Sequence, residues 1–212
     1  MKDEHHIPVT HVIGILGGIG SGKSFVAELM KARGAVVLDA DRVGHEVLRE
    51  PQVESAARER WGDGIFNSDG HIDRKRLAKI VFAPPPDGPG ELAHLEQLTH
   101  ARIGERLQEQ IAEIASREHP AALVLDAPVL LKAGWNQFCD KIVYVDAPHD
   151  VRLARVLARG WTEEELARRE AAQEPLDVKR RLADLVIDNS GPAEATAAQM
   201  NVLWPQLIGK YA

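Results

Sequence analysis

One stretch near the start of the chain constrains the fold more than any other: "GILGGIGSGKSF", residues 14–25, carries five glycines, a lysine and two serines. It overlaps the end of the apolar, β-branched run "HVIGIL", which reads as a short buried strand. Beyond it lies "SFVAELMKAR", where Phe25, Val26, Leu29 and Met30 share one helical face and Gly34 stands where a C-terminal cap belongs. Residues 17–24, "GGIGSGKS", satisfy the pattern G-x-x-x-x-G-K-[ST] in the strand-to-helix setting that the pattern needs. Glycines let successive backbone N–H groups turn inward with no Cβ in the way, and the following helix aims its positive end at the same point. The expected guest is the polyphosphate of a nucleotide. Gly18, Ile19, Gly20, Ser21, Gly22, Lys23, Ser24 and Phe25 would surround it, with Lys23 adding a mobile charge for the β- and γ-phosphates. The Ser24 hydroxyl is placed to ligate Mg²⁺, and Phe25 contributes its backbone N–H.

Four more strand candidates follow, in "AVVLDAD", "AALVLDAP", "DKIVYVDAP" and "ADLVIDNSG". Strands written as continuous apolar runs and alternating with helices imply an α/β fold with a parallel five-stranded sheet flanked by helices. Residues 42–116 interrupt that alternation and are almost wholly helical, so they read as a helical insertion beside the sheet. Within it, one helix over 42–49 stops at Pro51 and another spans about 52–60. Asp69 and Gly70 mark a turn, and Asp73 caps a helix over 74–82. "APPPDGPG", residues 83–90, is expected to break the chain before a long amphipathic helix over 91–116. Past Pro148 a helix runs to 159, Gly160 ends it, and Thr162 with Glu165 forms a capping-box pattern for the next. A closing helix is expected over 192–208.

The chain has 212 residues, 44% of them hydrophobic and 27% charged, enough for one domain or one domain with an inserted lobe. The expected boundaries are a lead-in over 1–10, a core over 11–41 and 121–212, an inserted lobe over about 42–118, and a lid over about 152–180. A formal net charge of −6 supplies no basic footprint, which argues against nucleic acid and anionic membrane as partners. The lone cysteine, Cys139, forms no intramolecular disulfide and reads as a small buried hydrophobe. "MKDEHHIPVT" is polar and the apolar run after it is too short for a signal-peptide core or a membrane span, so the expected location is cytoplasmic. His5 and His6 lack a third ligand in sequence range and read as part of the lead-in.

Binding a nucleotide does not define a reaction. No Asn-Lys-x-Asp guanine-reading motif is present, and instead "DAD", residues 39–41, directly follows the second strand. In a parallel sheet that end shares a rim with the phosphate loop. A carboxylate there can take the proton of an attacking hydroxyl or hold Mg²⁺ through water, while Asp41 is alternatively a helix cap. Asp126, after "LVL", offers another strand-end carboxylate for Mg²⁺ through water, with capping or turn formation as its alternative. Arg152, Arg155, Arg159, Arg168 and Arg169 cluster around Gly160 and resemble a mobile lid that closes over ATP and excludes water.

The residues "IGILGGIGSGKS", "LDAD", "WGDGIFNSDGHIDRKRLAKIVF", "LTHARI", "DAPVLLKAG" and "RREAAQEPLDVKRRLADLVIDNSG", in that order, resemble the dephospho-CoA kinase family over nearly the whole chain. The resemblance implies a P-loop kinase core, a helical acceptor-binding lobe and a lid. It implies Mg²⁺-dependent transfer of the γ-phosphoryl of ATP to the 3′-hydroxyl of dephospho-CoA, giving CoA and ADP. By the same resemblance Asp41 is the base, Lys23 the phosphate clamp, and Arg155 or Arg159 a lid arginine near the phosphates. Asn189 falls near the adenine and His100 on the acceptor side. Three positions depart from the family pattern: Ala101 replaces proline after His100, Lys132 replaces an acidic residue after "PVLL", and Phe25 replaces threonine after the loop serine.

Overall fold

Runs of valine, isoleucine and leucine build five strands in the computed structural model, which describes residues 10–209. The strands are β1 (His11–Gly17), β2 (Ala35–Asp39), β3 (Ala122–Asp126), β4 (Lys141–Asp146) and β5 (Leu185–Asp188). They pair in parallel throughout, in the order β2-β3-β1-β4-β5, as the continuous apolar runs predict. The helices are α1 (Lys23–Lys31), α2 (Ala40–Val47), α3 (Pro51–Trp61), α4 (Arg74–Val81) and α5 (Asp87–Glu118), followed by α6 (His149–Leu157), α7 (Glu163–Ala171), α8 (Leu176–Arg181) and α9 (Ala193–Leu207).

The described chain divides into two compact units. One comprises 10–39 and 110–209 and contains the sheet. Val26 and Met30 of α1 and Met200 and Leu207 of α9 pack with Ile13, Ile15, Val124, Val143 and Ile187 from alternate strand positions, which gives one face of the sheet its core. Cys139 lies beside Gly14, half-buried where full burial is expected, and burial pushes its thiol up to about 12, which keeps it uncharged. β2, β3, β4 and β5 each end in aspartate, so their carboxyl ends form an acidic rim at the edge where β1 runs into its glycine loop.

The other unit, 40–109, has its own core of Ala57, Ile65, Phe66, Ile72, Leu77 and Val81. Asp73 caps α4 by accepting from the backbone N–H groups of Lys75 and Arg76, as expected. The turn at Asp69 and Gly70 is held by Asn67, whose Oδ1 accepts from the backbone of Asp69 and His71 while Phe66 bridges Ile72. Glu50 accepts from Arg102 at 2.6 Å and Arg106 at 2.9 Å, fastening the α2–α3 corner to α5.

The two helices expected on either side of Pro51 are both present: α2 ends at Val47 and α3 begins at Pro51 itself, where the missing N–H would have no partner anyway. One reading of this unit needs correction: "APPPDGPG" is not a break throughout, because α5 already begins at Asp87 and carries Gly88, Pro89 and Gly90 in its opening turn. A first helical turn has unpaired N–H groups by construction, so proline and glycine cost little there. His5 and His6 lie outside the described residues. Among the described residues no helix is long and apolar enough to cross a membrane.

Candidate active site

Immediately after β1 the chain turns through Gly18, Ile19, Gly20, Ser21 and Gly22 into α1. Gly20 (φ +77°) and Gly22 (φ +94°) adopt backbone conformations that other residues rarely reach. Space is equally restrictive, since a Cβ at Gly20 would stand 2.7 Å from the carbonyl oxygen of Arg152, and one at Gly22 would collide with Nδ2 of Asn189.

Asn189 is 4% exposed and acts as a strut. Its Nδ2 donates to the Ser21 carbonyl at 2.7 Å and its Oδ1 accepts from the Thr196 hydroxyl at 2.8 Å, joining the loop to α9. Arg155 braces the same segment, donating to the carbonyls of Gly20, Ser21 and Asn189 at 3.2, 3.1 and 2.8 Å. Beneath the loop Arg152 donates to the carbonyls of Ala147 and Ile19 and pairs with Glu170 of α7. Much of the donor capacity of Asn189 and Arg155 therefore goes to holding the loop's shape. Asn189→Ala is expected to lower stability by about 1–3 kcal/mol, since it removes two buried hydrogen bonds at once, the shorter of the two that the Ser21 carbonyl accepts and the one that the Thr196 hydroxyl donates. Thermal denaturation with and without ATP checks this, and an unchanged melting temperature would remove the strut role.

Lys23, at the first position of α1, is half-buried and donates to the carbonyls of Gly17 and Gly18, both at 3.3 Å. Burial pushes its pKa below the ordinary lysine value, Asp126 pulls it back up, and Arg152 and Arg159 press it down again. Lys23 is thus within electrostatic reach of Asp126, Arg152 and Arg159. Asp39 stands beside Asp126 in the parallel register, and Ile15 of β1 pairs Asp126 from the other side. Ser24 and Phe25 are both exposed on the first turn of α1. Ser21 Oγ is fully enclosed with no hydrogen-bond partner.

The remaining residues singled out in the sequence distribute as follows. Asp41 is exposed in the first turn of α2, inside the helix rather than at its cap, and the half-buried His100 lies on α5; both belong to the 40–109 unit. Arg169 is turned to Glu165 at 2.8 Å and lies 4.1 Å above the ring of Trp161, so it is engaged within its own helical segment. Lys179, to which the sequence assigns no role, is 2% exposed and feels the charge of Lys23. The only sequence signal for it is its place in the "RREAAQEPLDVKRR" stretch.

A 2-3-1-4-5 parallel sheet whose first strand runs into a G-x-x-x-x-G-K-S loop defines a protein of the P-loop kinase fold. A shikimate kinase from Acinetobacter baumannii shares that fold with a TM-score of 0.51 at 18% identity over 97% of this chain and 98% of its own. Residues 11–195 match the family model for dephospho-CoA kinase. Dephospho-CoA kinases of Symbiobacterium thermophilum and Thermobifida fusca are 39% and 38% identical, covering 93% and 92% of this chain and 82% and 95% of theirs. The crystal structure of TT1252 from Thermus thermophilus superposes with a TM-score of 0.76 at 32% identity, over 93% of this chain and 98% of that one. The chain belongs to the dephospho-CoA kinase family, a family of ATP-dependent kinases.

Proposed function

We propose that this chain transfers the γ-phosphoryl group of ATP to the 3′-hydroxyl of dephospho-CoA, and that the residues of the loop and rim divide the chemistry as follows. The observation that carries the reading is the gathering of Lys23, Arg152, Arg159 and Lys179 around one glycine loop beside the Asp126 carboxylate. Cations held this close repel one another until a polyanion lies among them. The loop's backbone N–H groups and Lys23 bind the phosphates, Arg159 adds charge from the end of α6, and Asn189 and Arg155 keep the loop in its receiving shape.

Asp41 accepts the proton of the 3′-hydroxyl as that oxygen attacks the γ-phosphorus. The bond from phosphorus to the β–γ bridging oxygen breaks, and ADP leaves with the electron pair. The loop fits Mg²⁺ in the chemistry of its donors: an exposed Ser24 hydroxyl at the start of α1, with Asp39 and Asp126 adjacent on the rim to act through water. When bound, Mg²⁺ neutralises charge on the β- and γ-phosphates. His100 is assigned to the acceptor side, in the 40–109 unit.

The test is ADP release with dephospho-CoA set against nucleoside monophosphates, shikimate and simple sugars. Turnover is expected with dephospho-CoA, and phosphate in the product should sit on the ribose 3′-oxygen. Turnover only with another acceptor would overturn the substrate assignment while leaving the kinase intact.

A further inference from the structure

Lys179 stands among the cations around the loop, yet the chemistry above gives it no contact of its own. At 2% exposure Lys179 is almost closed off from bulk solvent, a cost for an ammonium unless an anion or a full set of acceptors compensates. The hydrogen bond it makes in the structure goes to a neutral group, Oε1 of Gln173 at 2.7 Å. Burial, with Lys23 next, pushes its pKa below that of an ordinary lysine, and Glu174 and Glu170 raise it only in part. Glu170 is in addition already paired with Arg152.

The surroundings of Lys179 are part of the loop itself. Together with Gln173, Glu174 and Glu170 it lines a cavity of about 130 Å³ whose far wall is Gly18 and Ile19. α8 is seated against that wall, since Leu176 Cδ2 lies 3.2 Å from where a Cβ on Gly18 would be. A lysine serving only to pin the turn between α7 and α8 would need neither the cavity nor the proximity to a second ammonium.

We propose that Lys179 is a second phosphate-binding lysine: when a polyphosphate sits on the loop, its ammonium leaves Gln173, enters the cavity beside Gly18 and contacts a phosphate oxygen. Gln173 then serves as its resting partner in the absence of the anion, and α8 delivers the charge from the opposite end of the chain to Lys23. The proposal rests on the reading that the glycine loop holds the phosphates of ATP.

The experiment is calorimetric titration of the full-length chain with inorganic tripolyphosphate, with ATP, and with adenosine as the uncharged control. Lys179→Met is expected to weaken tripolyphosphate and ATP about tenfold or more, the scale of one charge-assisted contact, and to leave adenosine unchanged. Lys23→Met serves as the reference. Tripolyphosphate affinity within twofold of the unsubstituted protein in Lys179→Met, alongside a clear loss in Lys23→Met, would overturn the proposal and leave the loop's role standing. Failure of the unsubstituted protein to bind tripolyphosphate would overturn both. Should Lys179→Met melt below the assay temperature, ¹⁵N-lysine spectra of the unsubstituted protein, assigned through Lys179→Arg, decide the matter. The Lys179 Nζ resonance is expected to shift on adding tripolyphosphate, and an unmoved resonance would refute the contact.

Discussion

Asp41→Asn is expected to cut turnover of ATP and dephospho-CoA by two to four orders of magnitude, roughly the size of a general-base contribution, while ATP affinity stays within a few-fold. Asparagine keeps the side chain's shape and can still hydrogen-bond a hydroxyl, but it cannot accept the proton. Asp41 is exposed in the first turn of α2, so the change should leave the fold intact. Steady-state kinetics beside calorimetric ATP binding and a melting curve separate the possibilities. Near-normal turnover with a lowered melting temperature would reassign Asp41 to stabilising its helix, where a carboxylate also interacts favourably with the positive end.

Lys23→Ala should behave differently, damaging both binding and rate. One charged hydrogen bond removed costs about 1.5–3 kcal/mol, or roughly ten- to a hundredfold in ATP affinity. Charge builds on the transferring phosphoryl beyond that of the ground state, so kcat is expected to fall by a further factor on the order of 10²–10³. In the structure the ammonium rests on the carbonyls of Gly17 and Gly18, a geometry from which it can swing to a phosphate without disturbing the backbone. Unchanged ATP affinity in Lys23→Ala would remove the lysine from the phosphate site.

Parts of this architecture were legible because their causes are local. The glycine loop announces itself in eight residues, and each strand in a run of four to seven. The Asp73 cap depends on atoms two and three residues away. Asn189 shows where locality ends. Its role follows from the Ser21 carbonyl, 168 residues earlier, and nothing near "IDNSG" announces that partner. Lys179 is hidden for a related reason: it is buried where α8 packs against the loop at Gly18, far earlier in the chain. The 83–90 segment departs in the opposite sense, because the opening turn of a helix tolerates proline and glycine that would break its interior.

The Asn189 strut carries a thermodynamic consequence. With Ser21, Asn189 and Thr196 tied in series, the entropy of arranging the loop is surrendered when α9 docks, not when the nucleotide arrives. Nucleotide affinity should therefore track the integrity of the C-terminal helix. On warming, conditions that fray the α9 junction would erode ATP binding several degrees before the sheet itself gives way.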